Sequence, residues 1–206
     1  MSESQGHSNT DLKASAEADL ALIRRMMQEA QQAAAIDGRH LTLWGSVLGL
    51  AQTLVLFSAR FTSDNEGART ITIWFALLGI GIVGSGILAY RYSRRPVNLA
   101  VRLYSSVWVG FCLTMCLLFI LAVTGQQEVL FSLSVVAPAM TGLAFFATAS
   151  IIGMGWLRRI AVCWWLTAIM AAVFSDTLYQ GIIFILAYLF LMAVPGVLIT
   201  RSGNRV

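Results

Sequence analysis

The chain has 206 residues, of which 58% are hydrophobic and only 12% charged, and its formal net charge is +4. Soluble globular domains carry roughly twice that charged fraction, so the composition indicates a protein embedded in a lipid bilayer. It excludes an intrinsically disordered chain, a disulfide-framed secreted module and a nucleic-acid-binding domain of the usual water-exposed, basic kind. We therefore expect membrane lipids, and not nucleic acid, as direct partners.

Two polar segments precede the first long apolar run. Residues 1–9 are small and polar, which predicts a flexible tail. In residues 10–38 apolar side chains recur at spacings of three and four, which predicts a cytoplasmic amphipathic helix that ends at Gly38. Its apolar stripe can pack on the bundle, lie on the membrane surface, or bind a second copy or a soluble cytoplasmic partner. The candidate partner-binding residues are Leu20, Ile23, Arg24, Arg25 and Met27.

Six apolar segments follow, each near the roughly 20 residues that a helix needs to cross a bilayer. Because lipid offers no hydrogen-bond partners to the backbone, all six are expected to be helices. The sequence thus predicts an all-α polytopic membrane helix bundle over residues 39–206, with six transmembrane helices in three consecutive hairpins. The spans are placed at about 41–59, 71–90, 103–124, 129–152, 157–175 and 178–200.

Charged residues outside the spans predict the orientation. If the residues before the first span are cytoplasmic, only Arg60 and Arg69 of the 14 basic residues fall on the outer side. Positive charge accumulates on the cytoplasmic side of membrane proteins, so both termini are predicted to lie in the cytoplasm. Guanidinium groups bind phosphate in a forked geometry, so the basic loops are also candidate sites for anionic lipids. The residues concerned are Arg91, Arg94, Arg95, Arg102, Arg158 and Arg159.

The spans contain no pattern of residues that is typical of a catalytic, ion-binding or metal site. Between their flanking arginines they contain no Asp, Glu, Lys, Arg or His, the residue types that mark proton relays and ion sites in membranes. Cys112 and Cys116 share a helix face, but a metal site needs further ligands and only Cys163 is available. We expect no catalytic residues, no metal and no cofactor, and hence a protein that is not an enzyme.

Small residues predict helix contacts within the membrane, and Pro138 predicts a kink or a cavity. Glycine and serine let helix backbones approach closely in lipid, so four of them are predicted to form helix contacts. They are Gly45, Gly49, Gly81 and Ser85. Pro138 interrupts the fourth span and frees a main-chain carbonyl group, which predicts either a structural kink or a small polar cavity. The candidate cavity residues are Ser134, Pro138, Thr141, Trp164 and Trp165.

Two short segments carry a family resemblance. They are Leu22-Ile23-Arg24-Arg25-Met26-Met27-x-Glu29 before the Gly-rich first span and Ala137-Pro138-Ala139-x-x-Gly142 in the fourth span. With this layout the chain resembles a group of uncharacterised six-span bacterial integral membrane proteins, often encoded beside winged-helix transcriptional regulators. The resemblance implies a membrane-embedded accessory or regulatory component and no catalytic residues.

Two functional hypotheses follow from the sequence. The leading one is a non-enzymatic accessory or regulatory membrane protein that acts through protein or lipid interactions of its cytoplasmic helix and basic loops, as a homo-oligomer or with a soluble cytoplasmic partner. The alternative is a small-molecule or lipid transporter, or its membrane substrate-binding subunit, with an uncharged intramembrane cavity.

Overall fold

The computed structural model describes residues 15, 17–24, 38–60, 65–92, 99–124, 127–174 and 177–203. The chain divides into two compact units, Met1–Ala35 and Ile36–Val206. In the first unit residues 17–24 are helical, and Leu20, Ile23 and Arg24 are exposed. The predicted tail, the other predicted partner-binding residues Arg25 and Met27, and the loop residues Arg94 and Arg95 lie outside the described residues.

Six helical spans make up the second unit, and no strand occurs among its described residues. Five spans are single α-helices, and the sixth combines two α-helices with a π-helical segment. The elements are α1 (Arg39–Ser58), α2 (Glu66–Tyr92), α3 (Leu99–Val123), α4 (Gln127–Ile152), α5 (Gly155–Val173), α6 (Thr177–Leu186), π1 (Ala187–Ala193) and α7 (Val194–Gly203). All six spans are long and apolar enough to cross a membrane, which confirms the prediction of an all-α bundle of membrane-span type.

A two-residue connection joins α4 to α5. Gly153 has a φ of 76°, the left-handed conformation that ends helices and that glycine adopts without a steric penalty. Met154 follows in an extended conformation, and α5 begins at Gly155. The turn sets α4 and α5 side by side, and these two helices form the most extensive contact between consecutive spans.

The main contacts between spans join consecutive helices, except that α2 and α3 meet less extensively, and they also join the first span to the last. α1 contacts both α2 and the sixth span, α3 packs on α4, and α5 contacts the sixth span less extensively than it contacts α4. Phe75 of α2 and Phe119 of α3 meet edge to face, with ring centroids 5.3 Å apart. Because the first and last spans are neighbours, the two ends of the apolar chain meet in one bundle.

The core lies toward α1, α4, α5 and the sixth span. Only 6% of the apolar stretch of α2 and of α3 is buried, against 28–39% for the other four spans. The largest fully buried side chains include Phe145, Leu157 and Trp164. The apolar side chains of α2 and α3 instead face outward, where a bilayer replaces water as the solvent.

The backbones of α1 and the sixth span approach unusually closely. A methyl group at Gly45 would lie 2.5 Å from the amide nitrogen of Ala193 and 2.8 Å from the carbonyl oxygen of Tyr188. A methyl group at Gly196 would lie 2.5 Å from the amide nitrogen of Thr42. No side chain fits at either position, so glycine is the residue that permits this contact.

The π-helical segment of the sixth span ends at Ala193, two residues before Pro195. Proline has no N–H to donate to the carbonyl group of Leu191, one turn earlier, so the regular α-helical pattern is interrupted there. The amide of Val194 donates instead to the carbonyl group of Leu189, five residues back, which widens the turn. The interruption at Pro195 is therefore accommodated by a π-helical turn.

The contact between α1 and α2 uses the other predicted small residues. The indole N–H of Trp44 donates to the hydroxyl oxygen of Ser85 over 2.9 Å, and the Trp44 ring lies against Gly81. Gly49, in contrast, contacts the side chain of Leu189 on the sixth span. The predicted small residues of α1 therefore face the sixth span, whereas those of the α1–α2 contact lie on α2.

We predict that Gly45→Ala lowers the stability of the bundle by about 1–3 kcal/mol, because the added methyl group must displace the backbone of π1. The measurement is the midpoint of thermal unfolding in detergent. Gly79→Ala is the matched control, since a methyl group at Gly79 meets nothing within 4 Å. Equal midpoints for the two variants would contradict the close contact.

Candidate functional site

Arginine residues gather at one end of the bundle, which we call the basic end. It is the end at which α1, α3 and α5 begin and α2, α4 and α7 end. The described arginines there are Arg39, Arg91, Arg102, Arg158, Arg159 and Arg201. All except the partly buried Arg39 are exposed. Alternation of the spans brings these residues together, although up to 162 positions separate them in sequence (39 to 201).

The charge at the basic end is of one sign. No Asp or Glu occurs among the described residues of the helix turns that form it. The opposite end holds two arginines among its described residues, Arg60 and Arg69. A one-signed cluster at a membrane boundary attracts anionic lipid headgroups or acidic protein surfaces.

Aromatic rings form a continuous row through the core. Trp108 of α3 meets Phe145 of α4 edge to face at a centroid distance of 5.5 Å, and Phe145 stacks on Trp164 of α5 at 6.4 Å. Trp164 in turn contacts Tyr188 of π1 at 5.8 Å. The row ties four spans together and fills the middle of the bundle with large side chains.

The indole N–H groups of this row differ in their hydrogen bonding. The N–H of Trp108 donates to the hydroxyl oxygen of Thr148 over 3.1 Å. Trp164 is only 1% exposed, and its N–H has no acceptor among the residues that the structure describes. A buried donor without an acceptor costs about 1–3 kcal/mol, so this group is available to any acceptor that enters the bundle.

The residues of the predicted cavity make two different sets of contacts. Pro138 and Thr141 are buried on α4, and the Thr141 hydroxyl donates to the carbonyl oxygen of Ala137 over 2.8 Å. The indole N–H of Trp165 donates to the carbonyl oxygen of Ala139 over 3.2 Å, so this ring covers α4 beside the proline. Trp164 instead contacts Phe145 of α4 and Tyr188 of π1 in the aromatic row. Ser134 lies one turn before Pro138 and is partly buried.

Two laterally open grooves occur elsewhere on the surface of the spans. The first, of about 380 Å³, lies at the basic end between α1, α2 and α7. It is lined by Arg39, Thr42 and Leu43 of α1, Leu88 of α2, and Val197, Thr200 and Arg201 of α7. The second, of about 350 Å³, lies between α5 and the sixth span, and its lining includes Cys163, Thr167, Ala187 and Phe190.

The first groove is lined by residues that lie far apart in the sequence. Arg39 and Arg201 flank the first and last spans, and neither is among the predicted lipid-binding arginines. Their charge and position are visible in the sequence, but their meeting depends on α1 and α7 being neighbours. That neighbourhood follows from the glycine contact described above, which pattern alone does not reveal.

The described residues offer no cluster for metal chemistry. No group of three or more His, Cys, Asp or Glu side chains among them could hold a metal ion. Cys112, Cys116 and Cys163 are free thiols on outward-facing positions of α3 and α5.

Comparison of the chain with models of known protein families, with curated proteins and with solved structures finds no match. The resemblance to six-span bacterial membrane proteins stays a prediction from the sequence.

Proposed function

We propose that the protein is a non-enzymatic accessory or regulatory protein of a bacterial inner membrane, which acts through protein or lipid interactions of its N-terminal helix and basic end. The observation that carries the proposal is the concentration of exposed arginines at one end of an apolar bundle. Five exposed arginines, with no Asp or Glu among the described residues of the surrounding helix turns, present a binding surface that packing does not require. The helical residues 17–24 offer exposed apolar side chains as a further contact surface.

The proposed orientation places the basic end in the cytoplasm. The anionic cytoplasmic leaflet attracts arginine, and basic loops are retained on that side during membrane insertion. Both termini then lie in the cytoplasm, where a soluble partner can reach the N-terminal helix.

We expect Arg60→Cys and Arg158→Cys to label oppositely with a membrane-impermeant maleimide, because both arginines are exposed at opposite ends of the bundle. The background carries alanine in place of Cys112, Cys116 and Cys163, which removes the native thiols. In right-side-out vesicles the Arg60→Cys variant is labelled directly, and the Arg158→Cys variant only after permeabilisation. The reverse pattern would refute the proposed orientation.

We also expect binding of a soluble partner to depend on the basic end. Proteins cross-linked to the full chain in native membranes are purified and quantified by mass spectrometry. The variant Arg158→Gln/Arg159→Gln is expected to lose partners that the wild-type chain retains, because charge complementarity is removed. Deletion of residues 1–37 is expected to lose them because it removes the N-terminal helix. Arg60→Gln/Arg69→Gln removes the same charge at the opposite end and retains those partners. Identical recovery with all four proteins would count against the proposal.

A second candidate function is supported by the buried N–H of Trp164. A small-molecule or lipid transporter with an uncharged intramembrane site needs a polar group that orients its cargo within the bundle. Trp164 supplies a donor at a point where π1 departs from α-helical geometry, and π-helical turns are frequent at functional sites.

If that site holds an uncharged ligand with a hydrogen-bond acceptor, Trp164→Phe is expected to remove the ligand from the purified protein. Mass spectrometry of organic extracts measures the loss. Trp108→Phe is the matched control, because the N–H of Trp108 is already bonded to Thr148. Extracts that do not differ between wild type, Trp164→Phe and Trp108→Phe would argue against the transporter.

A further inference from the structure

The five exposed arginines of the basic end lie where apolar spans begin or end. Arg91 and Arg201 are the last residues of their spans, and Arg102 is the second residue of its span. Arg158 and Arg159 are the fourth and fifth residues of α5. In a bilayer these positions lie where a helix leaves the hydrocarbon layer, which is the level of the lipid headgroups.

Each of these arginines shares a helix face with an exposed apolar side chain nearer the middle of its span. Residues three, four or seven positions apart lie on one face of a helix. The pairs at these spacings are Arg91 with Ile87 on α2, Arg102 with Val109 on α3, Arg158 and Arg159 with Val162 on α5, and Arg201 with Val197 on α7. A positive charge above an exposed apolar surface matches a phospholipid, whose acyl chains continue into the bilayer below its phosphate.

The arginines are spread over four of the six spans. Contacts join the spans in the order α3, α4, α5, sixth span, α1 and α2, and the five arginines lie on α2, α3, α5 and α7. A soluble protein reaches this end of the bundle from the aqueous side. Lipid headgroups instead reach each arginine from the surrounding bilayer, which is also the side that the exposed apolar residues face. The distribution therefore favours several separate lipids.

Helix dipoles stabilise only some of these charges. A cation is favoured in the last turn of a helix, where Arg91 and Arg201 lie, and is disfavoured near a helix N-terminus, where Arg102, Arg158 and Arg159 lie. No acidic residue occurs in the first turn of α3 or α5. A phosphate group from the surroundings would stabilise both the guanidinium groups and the positive ends of these two helices.

We propose that the basic end binds several anionic phospholipids, one at each of four positions around the bundle: Arg91, Arg102, the pair Arg158 and Arg159, and Arg201. Each phosphate contacts guanidinium groups, which bind its oxygens in a forked geometry, and the acyl chains lie along the exposed apolar residues of the same helix face. The proposal rests on the proposed function, because it takes the basic end to lie at a bilayer surface. It names the partner that these arginines contact from the membrane side.

The test reconstitutes the full chain in phosphatidylcholine vesicles that contain a minor fraction of phosphatidylglycerol. Electron spin resonance of trace spin-labelled phosphatidylglycerol or phosphatidylcholine measures the relative association of each lipid with the protein surface. We expect phosphatidylglycerol to associate more strongly, by about fivefold at a position beside one arginine, which corresponds to roughly 1 kcal/mol for each basic residue near a headgroup. Phosphatidylcholine is the reference because its choline group neutralises the phosphate charge.

A neutral variant combines the five substitutions Arg91→Gln, Arg102→Gln, Arg158→Gln, Arg159→Gln and Arg201→Gln. It is expected to lose most of the preference for phosphatidylglycerol. Lysine at the same five positions is the matched control, because it keeps the charge and is expected to keep most of the preference.

Single substitutions test whether the positions bind lipid separately, and they replace the neutral variant if that variant does not fold. Arg102→Gln and Arg201→Gln change exposed residues of α3 and α7. Each is expected to lower the preference in part, and the two reductions are expected to add in the double variant, because distant sites without shared partners act independently. Thermal unfolding checks that each variant is folded.

Four results would overturn the proposal. Equal association of the two lipids would leave a soluble acidic protein as the ligand of the basic end, and loss of the preference in millimolar inorganic phosphate would indicate sites for free phosphate. A wild-type preference in the neutral variant, or in both single variants, would show that these arginines do not retain lipid. Loss of the whole preference in one single variant would indicate one site in place of four.

The outcome is independent of the experiments on the proposed function. Both leaflets of the vesicles contain the same lipids and no partner protein is present, so the assay needs neither a membrane orientation nor a soluble partner. Its failure leaves the maleimide and cross-linking experiments able to support the proposed function, and failure of those experiments leaves the lipid measurement unaffected.

Discussion

Gly45 and Gly196 bring the backbones of the first and last spans into direct contact, and the rest of the bundle depends on that contact. In lipid, apolar side chains gain little by leaving the acyl chains for one another, so close packing of small residues supplies much of the attraction between helices. Here it is the main chain of π1 that lies against Gly45, and the amide of Thr42 that lies against Gly196. The contact places Arg39 and Arg201 on one groove and leaves the other face of α1 to hold α2.

The demand that main-chain polar groups be satisfied without water explains the local irregularities. Pro195 cannot donate to Leu191, and the chain responds with a wider turn in which Val194 donates to Leu189. At Pro138 α4 stays α-helical, while the neighbouring carbonyl groups of Ala137 and Ala139 accept bonds from Thr141 and Trp165. The two prolines of the spans are thus accommodated differently: a π-helical turn precedes Pro195, whereas α4 continues through Pro138 as an α-helix.

Composition and helical length were enough to predict the fold class, because a chain of long apolar segments has few other ways to bury its backbone. The partners of each helix could not be predicted, since the same glycine spacing suits several neighbours. Trp164 and Trp165 show most clearly which contacts could not be predicted from the sequence. Both are among the predicted cavity residues, but adjacent positions on a helix point about 100° apart. Trp164 contacts Phe145 and Tyr188 in the aromatic row, whereas Trp165 donates to Ala139 beside Pro138. Likewise, Arg39 and Arg201 carry no motif, and they line one groove because α1 packs on α7.

Polar groups are distributed differently in two regions of the protein, the middle of the bundle and the basic end. The middle of the bundle is filled by large rings and small side chains, and its one buried donor without an acceptor among the described residues is Trp164. The basic end carries six of the eight arginines of the described bundle, on helices held in register by glycine contacts.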